Sequence, residues 1–206
     1  MTQTQLEIDS VLSAINRATN PSESFYKIND TSDPRQLREW LSRFNSHYER
    51  LPALISVMGY YYMNEETIHE VLRDEWSGFD SITRYKREVR ELLLGMDDPS
   101  QFDGPIVNMM TDDELKAFEA LPDMLTVYRG CGPKNKAGIS WTLDRSIAEK
   151  FLTHILYRVD EPLLITARVR KNKVLALKLD RDEQEIITFS ARRTSVTALS
   201  IEKAVA

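Results

Sequence analysis

Apolar residues recur at helical spacing from residue 4 to about residue 95. Two such sets are Ile8, Val11, Leu12 and Ile15, and Leu37, Trp40, Leu41, Phe44 and Tyr48. Spacing of this kind places the apolar side chains on one face of a helix, where they can pack against a neighbouring element. The pattern therefore predicts an all-helical region over residues 1–100.

The second of these helices has a clear predicted start. Asp33 can cap the free amides, and Pro34 follows at the first helical position, where a missing N–H is harmless. Pro52 is expected to end or break this helix, because proline cannot donate a backbone hydrogen bond. Two further helices are predicted, one from about Glu65 and one that Gly95 closes in a left-handed cap.

A different pattern begins after the stretch 96–105, where turn formers and acidic residues predict a boundary. Thr111 and Glu114 form a capping-box pattern that opens a short helix to about Leu121. Runs rich in β-branched residues then alternate with turns, and one helix is predicted over 144–156. The predicted strands are 125–128, 163–169, 174–179, 185–189 and 196–201. The sequence thus predicts an α+β domain over 101–206, preceded by the helical region.

The composition excludes several classes of protein. The 206 residues include one cysteine, Cys131, which excludes a disulfide scaffold. The net charge of −5 argues against a broad cationic groove for nucleic acid. No apolar run is long enough to cross a bilayer, and residues 1–10 lack the features of a signal peptide. We therefore expect a cytoplasmic protein without a membrane partner, or an exported or phage-delivered effector that acts in a host cytosol.

The three histidines do not predict a metal site. His47, His69 and His154 fall in three separate predicted helices and lack the spacing of metal ligands. We expect each to be a surface or packing residue.

Glu183 and Glu185 are two residues apart at the start of a β-branched run. If the backbone is extended there, both carboxylates leave the same face of the strand. Such a pair suits cleavage of a glycosidic bond, in which one carboxylate stabilises positive charge on the sugar and the other accepts a proton. The alternative is an ordinary solvated acidic turn.

Two earlier motifs also allow two interpretations. Arg129 ends an apolar strand beside Gly130, where its guanidinium could bind a phosphate through paired hydrogen bonds or form a surface ion pair. The segment 138–142, GISWT, could line a site or could simply be a strand that leads into a helix cap.

The three motifs occur in a characteristic order: YRG around Arg129, GISWT around Ser140, and EQE over residues 183–185. This order resembles the arginine-serine-glutamate class of ADP-ribosyltransferases, in particular bacterial or phage mono-ADP-ribosyltransferases with an E-x-E motif. The segments WTLDRSIAEKF and VLALKLDRDEQEII are similar to the helix and the substrate-recognition loop of that family. The resemblance covers residues 111–201, and it departs from the usual serine motif at Trp141 and Thr142.

The resemblance implies a fold and a substrate. The fold would be a pair of packed antiparallel sheets, and NAD would be consumed as the substrate. Arg129 would hold an NAD phosphate, and the Gly130 backbone would pair with the nicotinamide amide. Ser140 would orient Glu185, which would stabilise the oxocarbenium-like transition state.

The resemblance also assigns the remaining residues. Glu183 would be the general base for the incoming nucleophile, and Phe151 would stack near the nicotinamide ring. Trp141 and Thr142 would complete the NAD site. An E-x-E pair is typical of family members that modify arginine.

Three functions remain open at this stage. The first is transfer of ADP-ribose to a macromolecular acceptor, with protein arginine favoured. The second is the same chemistry on RNA or DNA, as in a toxin of a toxin-antitoxin or phage-defence system, with an antitoxin or inhibitor bound to the helical region. The third is a catalytically degenerate interaction module.

Overall fold

The computed structural model describes residues 33–44, 47–58, 64–79, 82–95, 102–153 and 161–199. The chain divides into two compact units, Met1–Met96 and Asp97–Ala206. This division falls at the start of the turn-rich stretch 96–105. The helix predicted around Ile8 and the tyrosines 60–62 lie outside the described residues.

The described part of the first unit contains four α-helices. They are α1 (Pro34–Leu41), α2 (His47–Met58), α3 (Glu65–Glu75) and α4 (Lys86–Leu94). Short 3-10 turns, Trp76–Gly78 and Ile82–Tyr85, link the third helix to the fourth. The helical periodicity has its expected consequence, because apolar residues of each helix are buried, among them Leu37, Trp40, Leu54, Leu72 and Val89.

Two helix ends of this unit can be compared with the predictions from local sequence. The Asp33 side chain accepts a hydrogen bond of 2.9 Å from the Arg35 N–H, and Pro34 is the first helical residue, so the predicted start of α1 is confirmed. Gly95 has a positive φ of 64°, but its ψ of −161° lies outside the left-handed helical region. The helix ends at Leu94, so the predicted end at Gly95 is confirmed, whereas the predicted left-handed helical geometry of the cap is not.

The prediction for Pro52 is also wrong. Helix α1 already ends at Leu41, and Pro52 lies inside α2. Pro52 is buried between Leu51 and Ala53, each with 0% exposure. Burial of this apolar run offsets the missing N–H, so tertiary packing overrides the local preference of proline.

The second unit combines two α-helices with one sheet. The helices are α5 (Asp112–Glu119) and α6 (Arg145–Thr153). The strands are β1 (Met124–Cys131), β2 (Ser140–Thr142), β3 (Leu163–Arg170), β4 (Ala176–Lys178), β5 (Glu185–Ile187) and β6 (Arg192–Ala198). All pairs are antiparallel, and the strand order is β4-β5-β2-β1-β3-β6. The described residues thus form a mixed α and β protein with six α-helices.

The described strands join in one hydrogen-bonded sheet, whereas the resemblance implied two. The link is the pairing of β1 with β2, whose only register pair in the described chain is Tyr128 with Thr142. By contrast, β1 pairs with β3 along its whole length, from Met124 opposite Arg170 to Cys131 opposite Leu163. The short β1–β2 pairing therefore joins two groups of strands, β4-β5-β2 and β1-β3-β6.

The last strand begins earlier than expected. The sequence predicted a strand over 196–201, but β6 spans Arg192–Ala198 and all seven of its residues are exposed. Residues beyond 199 lie outside the described part. Because neither face of this edge strand is buried, its sequence lacks the apolar alternation that identifies a strand.

The predicted capping box of α5 is confirmed. The Thr111 side chain accepts from the Glu114 N–H, and the Glu114 carboxylate accepts from the Thr111 N–H at 2.8 Å. The same carboxylate accepts from Lys178 Nζ at 2.8 Å, with side-chain exposures of 4% and 2%. This buried ion pair fixes α5 to β4.

Helix α6 packs on β1 at a close approach. A side chain at Gly130 would bring a Cβ within 2.0 Å of the Ala148 carbonyl oxygen, so only glycine fits there. Ala148 and Leu152 of α6 are buried with Leu164 of β3. The predicted helix over 144–156 is confirmed from Arg145 to Thr153, and residues 154–156 lie outside the described part.

Candidate active site

The candidate residues come together where β1, β2 and β5 are neighbours in the sheet. Thr142 of β2 pairs with Tyr128 of β1 on one side and with Glu185 of β5 on the other. Tyr128 immediately precedes Arg129, and Ser140 lies two residues before Thr142 on β2. The pairing of these strands therefore gathers the three motifs, although 56 positions separate Arg129 from Glu185 in the sequence.

Arg129 connects β1 to β2 and to the turn between them. One Nη group donates to the Ser140 carbonyl, and the other donates to Asn135 Oδ1 at 2.9 Å. Its Nε donates to the Asn135 carbonyl at 3.4 Å. The side chain is half-buried, and this burial lowers the pKa of Arg129, although the charge of Glu185 counteracts the shift. The arginine is thus held in one orientation, within electrostatic reach of the Glu185 carboxylate.

Gly138 makes room for this guanidinium. A Cβ at Gly138 would lie 2.1 Å from one Nη and 2.2 Å from Cζ of Arg129. The backbone of Gly138 is therefore in direct contact with the guanidinium plane. Sequence reasoning noticed Gly138 only as part of GISWT and missed Asn135, whose only local signal is the turn-forming sequence Pro133–Asn135.

Thr142 fixes the loop that carries the carboxylates. Its hydroxyl donates to the Glu183 carbonyl at 2.6 Å and accepts from the Asp144 N–H at 3.0 Å. The Leu143 N–H donates to the Gln184 carbonyl at 3.2 Å. The end of β2 thus holds the residues just before Glu185 through two hydrogen bonds, to the Glu183 and Gln184 carbonyls.

The backbone is not extended from Glu183 to Glu185, so the condition for placing both carboxylates on one face of a strand is not met. Strand β5 begins at Glu185, and Glu183 has helical dihedral angles in the turn before it. Arg181, Asp182 and Gln184 have φ values of 58°, 56° and 44° and are the non-glycine residues with positive φ in the described chain. The hydrogen bonds from β2 impose this tight turn. Left-handed conformations of this kind cost about 1 kcal/mol or more per residue and cluster at functional sites.

The two carboxylates still interact. Burial raises the pKa of Glu183, and the negative charge of Glu185 raises it further. Both side chains are half-buried. A carboxylate with a raised pKa is a stronger base than an ordinary glutamate, which suits it to accepting a proton.

A positive wall lies on the β1 side of the site. Burial raises the pKa of the Cys131 thiol, whereas the charges of Arg129, Arg193 and Lys136 lower it. Arg193 donates to the Lys136 carbonyl at 2.8 Å, which ties β6 to the loop after β1. All three cations act electrostatically on the Cys131 thiol, so the potential on this side of the site favours an anionic group.

The remaining candidates surround this centre. Ser140 is half-buried on β2 opposite Ile187, and Phe151 is half-buried on α6. Trp141 is 5% exposed, and its indole N–H has no hydrogen-bond partner within the described chain. Gly130 lies in β1 beneath α6, opposite Leu164 of β3.

The described ranges contain neither a metal-binding cluster nor a membrane-spanning helix. No group of three or more His, Cys, Asp or Glu residues there could hold a metal ion. His69 is half-buried in α3 and lies 3.2 Å from the Leu93 carbonyl, while the side chains of His47 and His154 are outside the described part. None of the helices in these ranges combines the length and apolar composition that crossing a membrane requires.

Comparison with known proteins does not assign a family. No protein-family model matches the chain, and neither a curated protein nor a solved structure has significant similarity to it.

Proposed function

We propose that this chain is a mono-ADP-ribosyltransferase that transfers ADP-ribose from NAD to a macromolecular acceptor and releases nicotinamide. The observation that carries the proposal is the placement of a carboxylate pair, Glu183 and Glu185, across strand β2 from a half-buried arginine, Arg129. The division of the sheet at the Tyr128–Thr142 junction is also compatible with an ADP-ribosyltransferase-like fold, whose two sheets would be the groups β4-β5-β2 and β1-β3-β6.

In the proposed reaction Glu185 stabilises the sugar. The bond between C1′ of the nicotinamide-side ribose and the nicotinamide nitrogen breaks, and its electron pair leaves with neutral nicotinamide. Positive charge then develops on the ribose. A negative charge fixed beforehand at that position stabilises the transition state more than the ground state. Glu185 suits this task because its backbone is paired on both sides, with Thr142 and with Lys178.

Glu183 is the proposed general base. As an acceptor nitrogen bonds to C1′, it must lose a proton, and the Glu183 carboxylate accepts it. Its raised pKa brings the proton affinity of the base closer to that required near neutral pH. The charge of Glu185 supports this role because it raises that pKa.

NAD is proposed to lie along β1 and β2. The positive wall formed by Arg129, Lys136 and Arg193 would attract the diphosphate. The Trp141 indole N–H is a buried donor, and Phe151 offers an aromatic ring from α6. Ser140, Thr142 and the Gly130 backbone complete the proposed NAD site, with Thr142 acting through the loop that it holds.

Protein arginine is the favoured acceptor. A guanidinium nitrogen needs a base to become nucleophilic, and this site has a glutamate, rather than a glutamine, two residues before Glu185. A nucleic acid acceptor, as in a toxin of a toxin-antitoxin or phage-defence system, is the alternative that the same assay distinguishes.

The test is an incubation of the full chain with NAD labelled on its adenylate portion, together with separate protein, RNA and DNA pools. We expect label in the protein pool and release of free nicotinamide. Label only in RNA or DNA would replace the proposed acceptor. Absence of NAD turnover with every pool would overturn the enzymatic proposal in favour of a degenerate interaction module.

A further inference from the structure

Three exposed arginines occupy one face of the sheet at the β3–β6 edge. Arg168 and Arg170 alternate on β3 with the buried residues Ala167 and Val169, so both arginines lie on the same face. Arg192 of β6 stands directly opposite Arg168. We call these three residues the arginine face.

The three guanidinium groups of the arginine face have no ion pair or hydrogen bond with a side chain or backbone group of the described residues. Two other exposed arginines, Arg87 and Arg145, have carboxylate partners. Arg87 donates to Glu91 at 3.1 Å and Arg145 donates to Glu149 at 2.8 Å, each one helical turn along the same helix. The chain has a net charge of −5, so a cluster of arginines without carboxylate partners among the described residues is a local feature.

The pairing of Arg168 with Arg192 is unfavourable for the isolated protein. Side chains directly opposite each other on antiparallel strands lie about 5 Å apart at Cβ, and like charges there destabilise the pair. A bound polyanion would remove this repulsion. The arrangement therefore has a physical explanation if the face binds a ligand with several negative charges.

We propose that the arginine face binds the phosphate backbone of a nucleic acid. Guanidinium groups bind phosphate oxygens through paired hydrogen bonds. Strand β3 holds Arg168 and Arg170 about 7 Å apart along its length, and Arg192 lies beside Arg168 on β6, so successive phosphates of one nucleic acid strand can meet these guanidinium groups. Opposite these arginines on β1 lie Thr126 and Met124, and Met124 is 39% exposed and offers an apolar contact for a base.

This inference goes beyond the proposed enzymatic function. Binding at the arginine face requires neither NAD nor Glu183 and Glu185, and it would bring the enzyme to a nucleic acid whichever acceptor it modifies. Binding and NAD turnover can therefore succeed or fail independently.

The experiment measures binding of the full chain, without NAD, to fluorescein-labelled 30-nucleotide RNA and to single-stranded DNA of the same sequence by fluorescence anisotropy. Affinity should fall as salt rises, because released counterions drive such binding. The double variant Arg168→Ala/Arg192→Ala should bind at least about 10-fold more weakly. For this variant, the slope of log K against the logarithm of the salt concentration should become less negative by roughly 1.4, or about 0.7 for each lost phosphate contact with a single strand.

A charge-matched control separates the surface from net charge. Arg87→Ala/Lys116→Ala removes two exposed cations that already have carboxylate partners, and it should retain wild-type binding. Circular dichroism and a thermal melt should show that both double variants remain folded, and loss of the Arg168–Arg192 repulsion should not lower Tm. Equal affinities for the two double variants would overturn the proposal. Absence of binding to either nucleic acid, or tighter binding to phosphatidylserine vesicles or an acidic peptide, would overturn it as well.

Discussion

The hydroxyl of Thr142 donates a hydrogen bond of 2.6 Å to the backbone carbonyl of Glu183, 41 residues further along the chain. This contact fixes the turn in which Glu183 precedes β5. The conformation of the turn before Glu185 therefore depends on a residue of a different strand.

Replacement of Thr142 by valine should impair catalysis through the position of Glu183. A valine side chain has nearly the shape of threonine, but it leaves the Glu183 carbonyl and the Asp144 N–H without a partner. This loss should destabilise the protein by about 2 kcal/mol. We expect kcat for transfer to fall about 10-fold or more, with a smaller change in KM for NAD. Thr142→Ser should restore kcat, whereas equal kcat values for valine and threonine would remove Thr142 from this role.

The two carboxylates should differ in their effects on turnover. Glu185→Gln should lower both NAD hydrolysis and transfer by about 100-fold or more, since it removes the charge that stabilises the ribose. Glu183→Gln should lose transfer while retaining measurable NAD hydrolysis. Nicotinamide release and acceptor labelling, measured in the same samples, check this difference. Parallel losses in both variants would contradict separate roles.

Titration of Glu183 should reveal its interaction with Glu185. Its pKa in the folded state should lie above the ordinary value of 4.5, because of burial and the neighbouring charge. The protonated form is thus favoured by folding, so this group's contribution to stability is present below pH 4.5 and is lost as pH rises through the raised pKa. Transfer should increase over the same range, as Glu183 becomes an ionised base.

Carboxyl NMR of the full chain checks this prediction. Glu185→Gln should lower the pKa of Glu183, because it removes the second-largest cause of the shift. Asp112→Asn, an exposed change in α5, is the control and should leave the Glu183 titration unchanged. The expected interaction is absent if the Glu183 titration curves of wild type and Glu185→Gln coincide.

Gly138→Ala should displace Arg129. Its Cβ would lie 2.1 Å from the guanidinium, so the arginine must move away from Ser140 and Asn135. We expect a loss of about 1–3 kcal/mol in the free energy of unfolding and weaker binding of NAD. The matched control is the same substitution in an Arg129→Ala background, where it should cost at least about 1 kcal/mol less. Additive effects in this double-mutant cycle would contradict the contact.

The buried pair of Glu114 and Lys178 should make folding sensitive to acid. Burial raises the pKa of Glu114, but hydrogen bonds from Lys178 and from the Thr111 and Leu179 N–H groups outweigh it, and the net pKa lies below 4.5. The associated stability is present above pH 4.5 and is lost as pH falls through the lowered pKa.

Glu114→Gln should therefore lower the free energy of unfolding by about 3–5 kcal/mol at pH 7, because it leaves the Lys178 charge buried without a partner. The loss relative to wild type should shrink as pH falls below 4.5. Urea denaturation at several pH values measures both effects, and Asp113→Asn, which affects an exposed carboxylate, is the control. A constant difference between wild type and Glu114→Gln across this range would contradict the assignment.

Local sequence determined where many elements begin. The Asp33–Pro34 start of α1 and the capping box of α5 depend on side chains that bond to amides two or three residues away. Apolar periodicity likewise identified the long strands β1 and β3, because their buried positions recur within a few residues. Local sequence did not predict the start of the exposed strand β6, whose conformation depends on its pairing with β3. Local sequence also predicted a helix end at Pro52, which instead lies buried inside α2.

The sequence alone determined the order of the three motifs and the chemical types of Arg129, Ser140, Glu183 and Glu185. Only the tertiary structure decided that Glu183 lies in a turn held by Thr142, that Asn135 and Gly138 orient Arg129, and that Glu114 pairs with Lys178 across 64 residues. The physical reason is the distance along the chain over which each kind of interaction acts. Helix caps and apolar periods act within one or two turns of the chain, whereas the pairing of β1, β2 and β5 depends on how the whole sheet packs.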